Sequence, residues 1–76
     1  MSRYFFDIAA PGRVLYDFQG RDFRSLEEAR QMAELVALDF EASEGSDTFG
    51  SEVQIRDVHG KKVLSITIAA EAKRAA

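Results

Sequence analysis

The chain has 76 residues and a formal net charge of −3, and it contains no cysteine. Its content of 46% hydrophobic and 11% aromatic residues is sufficient for a folded core, and its length allows one domain rather than two. The absence of cysteine excludes disulfides, thiolate metal sites and cysteine nucleophiles. The longest apolar run in the middle of the chain extends only from Leu35 to Leu38, and the N-terminus lacks the apolar segment of an export signal. We therefore expect a cytoplasmic protein that does not associate with a membrane.

Two strands are predicted in the first part of the chain. Residues 3–9 are rich in aromatic and β-branched side chains, and three of these alternate on one face: Tyr4, Phe6 and Ile8. Residues 14–18 form the second strand, followed by a short extended lead-in at 21–24. Because Pro11 cannot adopt the positive φ that a type I′ turn requires at its first position, the connection is longer, and the register of this hairpin stays open.

One helix is predicted from Ser25 to about Ser43. Ser25 and Glu28 have the spacing of a capping box, in which the serine hydroxyl accepts the N–H of Glu28 and the glutamate accepts the N–H of Ser25. An apolar stripe follows at steps of three and four residues: Leu26, Ala29, Ala33, Val36 and Phe40. Gly45 is placed to end the helix in a left-handed conformation.

Two further strands follow a polar loop at 46–51. They span residues 52–57 and 62–69, and a two-residue type I′ turn at His59-Gly60 places Ile55 opposite Leu64 and Val53 opposite Ile66. The predicted fold is therefore a two-layer α+β domain in the order ββαββ, with an antiparallel sheet of about four strands and one helix on one face. Residues 1–70 form this single domain, and 71–76 form a frayed, charged tail.

The helix segment is the most acidic part of the chain, since residues 25–47 contain seven acidic side chains and one basic side chain. A solvated helix surface explains this composition, and a docking surface for a basic protein partner is the functional alternative. The residues that would form such an acidic face are Glu34, Asp39 and Glu41. Direct binding of nucleic acid is disfavoured, because phosphate contacts require clustered lysine and arginine.

One helix can cover only one face of the sheet, so apolar side chains remain on the other face. Alternation places Phe5, Val63 and either Leu15 or Tyr16 there, beside Ser65 and Thr67. The predicted interface therefore consists of Phe5, Leu15, Tyr16, Val63, Ser65 and Thr67. A contiguous apolar patch is typical of an interaction surface, so we expect a homodimer that uses this face or a sheet edge.

Residues that could support catalysis have simpler structural explanations. His59, the only histidine, suits the predicted turn and has no second imidazole or thiolate with which to bind a metal. The glycine-containing loop at 45–51 lacks the Gly-Lys-Ser/Thr ending and the preceding strand of a phosphate-binding loop. We therefore expect no catalytic residues, no metal, no cofactor and no enzymatic activity.

Two families resemble parts of this sequence. The opening Arg3-Tyr4-Phe5-Phe6-Asp7, the helix start at 25–30 and the final hairpin resemble a family of short bacterial proteins of unknown function over residues 3–68. This resemblance implies no activity, ligand or site. A weaker pattern, Asp17-x-x-Gly20 followed by residues 25–29, is similar to HicB-type antitoxins, although this chain has no room for their separate DNA-binding segment. That similarity implies inhibition of a small basic ribonuclease.

The sequence thus leaves two function classes open. The first is a non-catalytic protein-interaction module or structural accessory that self-associates. The second is an antitoxin-like inhibitor of a small basic ribonuclease, whose acidic helix would supply electrostatic complementarity to its target.

Overall fold

The computed structural model describes residues 1–44 and 50–68. It contains five strands and one helix in the described part of the chain: β1 (Ser2–Ala10), β2 (Arg13–Leu15), β3 (Arg21–Phe23), α1 (Leu26–Glu44), β4 (Glu52–Arg56) and β5 (Lys62–Thr67). All the strand pairs are antiparallel, in the order β2-β1-β4-β5, with β3 also paired to β1. The predicted α+β fold, with one helix packed on an antiparallel sheet, is confirmed.

The core lies between α1 and one face of the sheet. Alanines face the sheet at successive helical turns, and short side chains let the helix approach closely. The buried apolar residues are Phe23, Ala29, Ala33, Ala37, Val53, Ile55 and Ile68. Tyr4, Phe6 and Ile8 of β1 pack against them, as their alternation predicted. The residues between them, Phe5 and Asp7, therefore lie on the opposite face, which we call the outer face.

The second predicted strand is shorter than expected and is followed by a loop. β2 ends at Leu15, and the predicted lead-in is itself a strand, β3. The pairs Ile8–Leu15 and Tyr4–Arg21 show that β1 advances four residues while the opposing chain advances six. The two extra residues are accommodated in the five-residue loop at 16–20, where the Asp17 carboxylate accepts backbone N–H groups.

The start of the helix differs in one detail from a capping box. The Ser25 hydroxyl accepts the N–H of Glu28 at 3.2 Å, as predicted. The Glu28 carboxylate accepts the N–H of Arg24 at 2.9 Å rather than that of Ser25. Both interactions satisfy backbone donors at the helix start, so the predicted boundary is correct although one partner is different.

The β4–β5 hairpin has the predicted register but a different turn. Ile55 pairs with Leu64 and Val53 with Ile66, as predicted. The turn contains three residues rather than two, since the N–H of Asp57 donates to the carbonyl of Lys61 and the N–H of Gly60 donates to the carbonyl of Asp57. A bulge restores the register, because one extra residue of β5 lies between the pairs Arg56–Lys62 and Ile55–Leu64.

Three predictions fall wholly or partly outside the described residues. They are the helix stop at Gly45, the loop at 46–51 apart from its last two residues, and the tail at 71–76.

Candidate functional site

A buried carboxylate marks the centre of the outer face. Asp7 of β1 is only 4% exposed. It accepts hydrogen bonds from Nε of Arg56 at 2.8 Å and from Nη2 of Arg56 at 3.2 Å, and a third from the N–H of Asp17 at 2.9 Å. A buried charge requires such partners to offset the loss of hydration. Asp7 therefore joins β1, β4 and the 16–20 loop at one point.

Asp17 holds the loop in place through its own carboxylate. Oδ1 accepts the N–H groups of Gln19 and Gly20, and Oδ2 accepts the N–H of Phe6, each at 3.1 Å. Burial raises the pKa of Asp17, but these three hydrogen bonds outweigh it and, with the charge of Arg56, lower the pKa below its ordinary value. The ionised carboxylate thus fixes the loop against the middle of β1.

Arg56 is held in a single orientation above an aromatic ring. Its Nη2 also donates to the carbonyl of Asp17 at 2.9 Å. The guanidinium carbon lies 4.6 Å from the centroid of Phe5, the residue opposite Arg56 in the β1–β4 pairing. The hydrogen bond to Asp7 raises the pKa of Arg56, so its charge persists. The result is a fixed cation over a ring, an arrangement that is favourable in itself.

Gly20 allows the loop to pack directly on Phe5. Its φ is +70°, a conformation that residues with a Cβ rarely adopt. A Cβ added at this position would lie 2.8 Å from the Phe5 ring and 3.0 Å from the carbonyl oxygen of Tyr4. The glycine is therefore required both by the backbone conformation and by the space available.

A shallow pocket of about 450 Å³ opens over this cluster, lined by Phe5, Tyr16, Asp17, Phe18 and Arg56. Tyr16 is 60% exposed and Phe18 is 87% exposed, and their ring centroids are 6.4 Å apart. We call Phe5, Tyr16, Phe18 and Arg56 the aromatic patch. Val14 and Leu15, immediately before it, are also exposed. Four large apolar side chains therefore face solvent within five consecutive residues.

Only part of the predicted interface lies in this patch. Phe5 and Tyr16 line the pocket, so Tyr16 rather than Leu15 accompanies Phe5. Leu15 pairs with Ile8 and so lies on the helix side of the sheet, and Val63 packs against the core. Ser65 and Thr67 are exposed on β5, which is separated from β1 by β4. Ser65 pairs with Gln54 and Gln54 with Asp7, so Phe5, Tyr16, Ser65 and Thr67 share the outer face, whereas Leu15 and Val63 do not.

Sequence reasoning missed the polar residues that organise the patch. Asp7, Asp17 and Arg56 were not singled out as a cluster, nor was Phe18 as an exposed ring. One local signal was present, since Asp7 places a charge in the middle of an otherwise apolar strand. Its partner Arg56 is 49 residues away in the sequence, and this distance concealed the pair.

The three predicted acidic helix residues are distributed over two sides of α1. Glu34 forms an ion pair with Arg30, which also binds Glu27. Glu34 and Glu41 border a groove of about 330 Å³ between α1 and β5, with Leu38 between them. Asp39 is about 140° around the helix from Glu34, given 100° per residue. Glu34 and Glu41 therefore share a surface, and Asp39 lies on another.

The described residues show no arrangement suited to a metal ion, since no three histidine, aspartate or glutamate side chains converge there. His59 lies in the β4–β5 turn, where its backbone N–H donates to Oδ1 of Asp57 at 2.9 Å. No helix in this part of the chain has the length and apolar character needed to cross a membrane.

The architecture is that of a small α+β domain with a polar cluster on the exposed face of its sheet. A family model for a domain of unknown function, DUF6894, matches residues 3–69. The match covers almost the whole chain, so the protein belongs to this family. The predicted resemblance to a family of unknown function is confirmed to this extent. No curated protein and no solved structure matches the chain.

Proposed function

We propose that this protein is a non-catalytic, cytoplasmic protein-interaction module that self-associates through the aromatic patch. The observation that carries the proposal is the exposure of Tyr16 and Phe18 beside a fixed arginine. Tyrosine, phenylalanine and arginine are enriched at protein interfaces and depleted from ordinary surface. The charged groups beneath them bind one another and the backbone, so the patch mainly presents ring surface to a partner.

The area of the patch is consistent with the central part of an interface. At their exposures, Tyr16 and Phe18 together offer roughly 300 Å² of accessible surface. A stable interface buries about 800 Å² on each partner. The contact must therefore extend beyond the two rings, and Val14, which is exposed and pairs with Ala9 on the outer face, adjoins them.

Charge favours a second copy of this chain as the occupant. The protein has a net charge of −3, and residues 25–47 account for most of its acidity. Two copies meeting through their helices would place like charges together. The outer-face cluster contains two carboxylates and one guanidinium, a net charge of −1, whereas residues 25–47 contain seven acidic side chains and one basic side chain, so two patches repel each other less than two helices would.

Sedimentation equilibrium tests this proposal. We expect a concentration-dependent mass that approaches twice the mass of the chain, and a monomeric mass for Tyr16→Ala. Leu35→Ala is the matched control, because Leu35 is 59% exposed against 60% for Tyr16 but lies on the helix. A wild-type protein that remained monomeric at millimolar concentration would contradict the proposal, as would equal effects of the two substitutions.

The helix supports a second candidate, an antitoxin-like inhibitor of a small basic ribonuclease. Arg30 is paired with Glu27 and Glu34, whereas Glu41 has no such basic partner among the described residues. Leu38 is exposed beside it, above the groove between α1 and β5. An apolar residue flanked by carboxylates is suited to a basic protein surface.

Charge reversal distinguishes this second candidate from the first. The triple variant Glu34→Lys, Asp39→Lys and Glu41→Lys should abolish capture of a small basic protein from native lysate while leaving self-association unchanged. If the triple variant retained the same stoichiometric basic partner, the acidic helix would have no part in its binding.

A further inference from the structure

The charge balance of the pocket selects the kind of group that can enter it. Arg56 is neutralised by Asp7, and the nearby Asp17 carboxylate is held by backbone N–H groups. An anion would approach the Asp17 carboxylate, and a cation would approach the guanidinium. Neither is favoured, whereas a neutral ring can stack on the guanidinium plane and against Tyr16 without either conflict.

We infer that each pocket receives the Phe18 ring of a second copy of this chain, so that the two copies exchange Phe18 side chains across a two-fold axis. The inference rests on the proposed self-association and names the group that anchors it. Phe18 is the most exposed aromatic residue in the described part of the chain. A two-fold contact is reciprocal, so the same ring-in-pocket contact is made twice.

The loop that carries Phe18 is organised before a partner binds. Asp17 precedes Phe18 directly and accepts the N–H groups of Gln19 and Gly20 on its other side. The carbonyl of Asp17 is in turn bound by Arg56 at 2.9 Å. A ring projected from a loop held in this way loses little conformational freedom on binding, and this reduces the entropic cost of association.

The pocket is of a suitable size and composition for a ring. Its volume of about 450 Å³ lies within the range of small-molecule sites, which is about 300–1,000 Å³. Phe5, Tyr16 and the Phe18 ring of the same copy provide aromatic walls, and Arg56 provides a planar cation held by its ion pair with Asp7. Anchoring aromatic residues in such pockets commonly dominate the affinity of an interface.

Substitution of Phe18, followed by sedimentation equilibrium of the full chain, tests the inference. Phe18→Ala should raise the dimer dissociation constant by at least about 30-fold, the effect of one strong interface anchor. Phe18→Tyr, which keeps the ring, should remain dimeric, and Phe18→Leu should weaken the dimer. Leu38→Ala is the control, because Leu38 is an exposed apolar residue on the helix. Since Phe18 is so exposed, none of these changes should lower the melting temperature of the monomer.

An isotope-filtered NOE experiment on a mixture of labelled and unlabelled wild-type protein locates the ring directly. We expect contacts between Phe18 of one copy and the Phe5 and Tyr16 rings of the other. A dimer that lacks these contacts and tolerates Phe18→Ala would overturn the inference while leaving the proposed self-association intact. A wild-type protein that is monomeric throughout would overturn both.

Discussion

At the residue scale, Gly20 is the position at which a single added methyl group should be most disruptive. Gly20→Ala places a Cβ against the Phe5 ring and imposes a positive φ on alanine. We expect a loss of about 2–4 kcal/mol in the free energy of unfolding, measured by urea denaturation. Gly12→Ala is the matched control, since Gly12 has a φ of +81° but its Cβ would meet nothing within 4 Å.

The comparison separates backbone strain from steric conflict. Gly12→Ala should cost only about 1 kcal/mol, the strain of alanine at positive φ. Equal losses for the two variants would mean that the close approach of the loop to Phe5 contributes nothing.

The Asp7–Arg56 ion pair is the second feature whose contribution to stability single substitutions can test. Arg56→Met would leave the buried Asp7 carboxylate without its cation, and removal of one member of such a pair is strongly destabilising. Because Arg56 retains 26% side-chain exposure, we expect a loss of about 2–3 kcal/mol in the free energy of unfolding. Arg3→Met breaks the exposed pair with Asp22 and should cost less than Arg56→Met, because solvent screens that pair.

A double variant identifies the cause of that loss. Asp7→Asn combined with Arg56→Met removes the unpaired charge, so it should be less destabilising than the sum of the two single changes. Strict additivity in thermal or urea unfolding would show that the two side chains act independently.

At the scale of elements, the start of α1 depends on one hydroxyl. Ser25→Ala removes the acceptor for the N–H of Glu28 and should cost about 1 kcal/mol. Ser43→Ala, near the other end of the helix, removes only a hydrogen bond from the hydroxyl to the carbonyl of Asp39. That control should change the free energy of unfolding by less than about 0.5 kcal/mol. A larger effect at Ser43 than at Ser25 would contradict the assignment of the cap.

The elements most accessible to sequence reasoning are those set by local periodicity. The alternation of Val53 and Ile55 against Leu64 and Ile66 predicts the β4–β5 register correctly, because a shift by one residue would turn every apolar side chain to the wrong face. The helix follows from its cap and its stripe for the same reason. The predicted two-residue turn was wrong, because the Asp57 carboxylate accepts the N–H groups of His59 and Lys61 and so stabilises a longer loop.

The broken second strand and the aromatic patch depend on contacts that no local pattern contains. β2 ends at Leu15 because the Asp17 carboxylate accepts the N–H groups of Phe6, Gln19 and Gly20. Phe6 is eleven positions away in the sequence. Arg56, which neutralises Asp7, lies 49 residues away in the sequence. Alternation places Phe5 on the outer face and leaves Leu15 or Tyr16 open there, whereas the pairing of Arg56 with Asp7 and the exposure of Phe18 required the three-dimensional arrangement.

At the scale of the whole molecule, one cluster holds a loop that the core does not contact. α1 packs on the helix side of the sheet, and Asp7, Asp17 and Arg56 join β1, the 16–20 loop and β4 on the outer face. A domain of this size buries only about 60% of its unfolded surface, so such an additional connection is a considerable part of its stability. The same cluster positions the aromatic patch, and loss of the cluster should therefore affect folding and association together.

The pH dependence of stability follows from this cluster. The hydrogen bonds from Phe6, Gln19 and Gly20 outweigh burial and lower the pKa of Asp17 in the folded protein. A carboxyl group with a lowered folded pKa stabilises the protein above its unfolded pKa, about 3.9, and this contribution is lost as pH falls through the folded value. We therefore expect the free energy of unfolding to fall below about pH 4, and to fall less steeply in Asp17→Asn.

Salt distinguishes this contribution from surface ion pairs. The hydrogen bond and charge of Arg3 lower the pKa of Asp22, and those of Arg30 lower the pKa of Glu27, both at exposed positions. Added salt screens such exposed pairs, whereas the backbone hydrogen bonds to Asp17 persist. In urea titrations from pH 2.5 to pH 7 at about 1 M salt, Asp17→Asn should remove part of the slope that remains, and the rest includes Asp57, whose pKa is lowered by backbone hydrogen bonds from Lys61 and His59. If the wild-type and Asp17→Asn slopes coincide at high salt, the loop carboxylate does not stabilise the folded state through its ionised form.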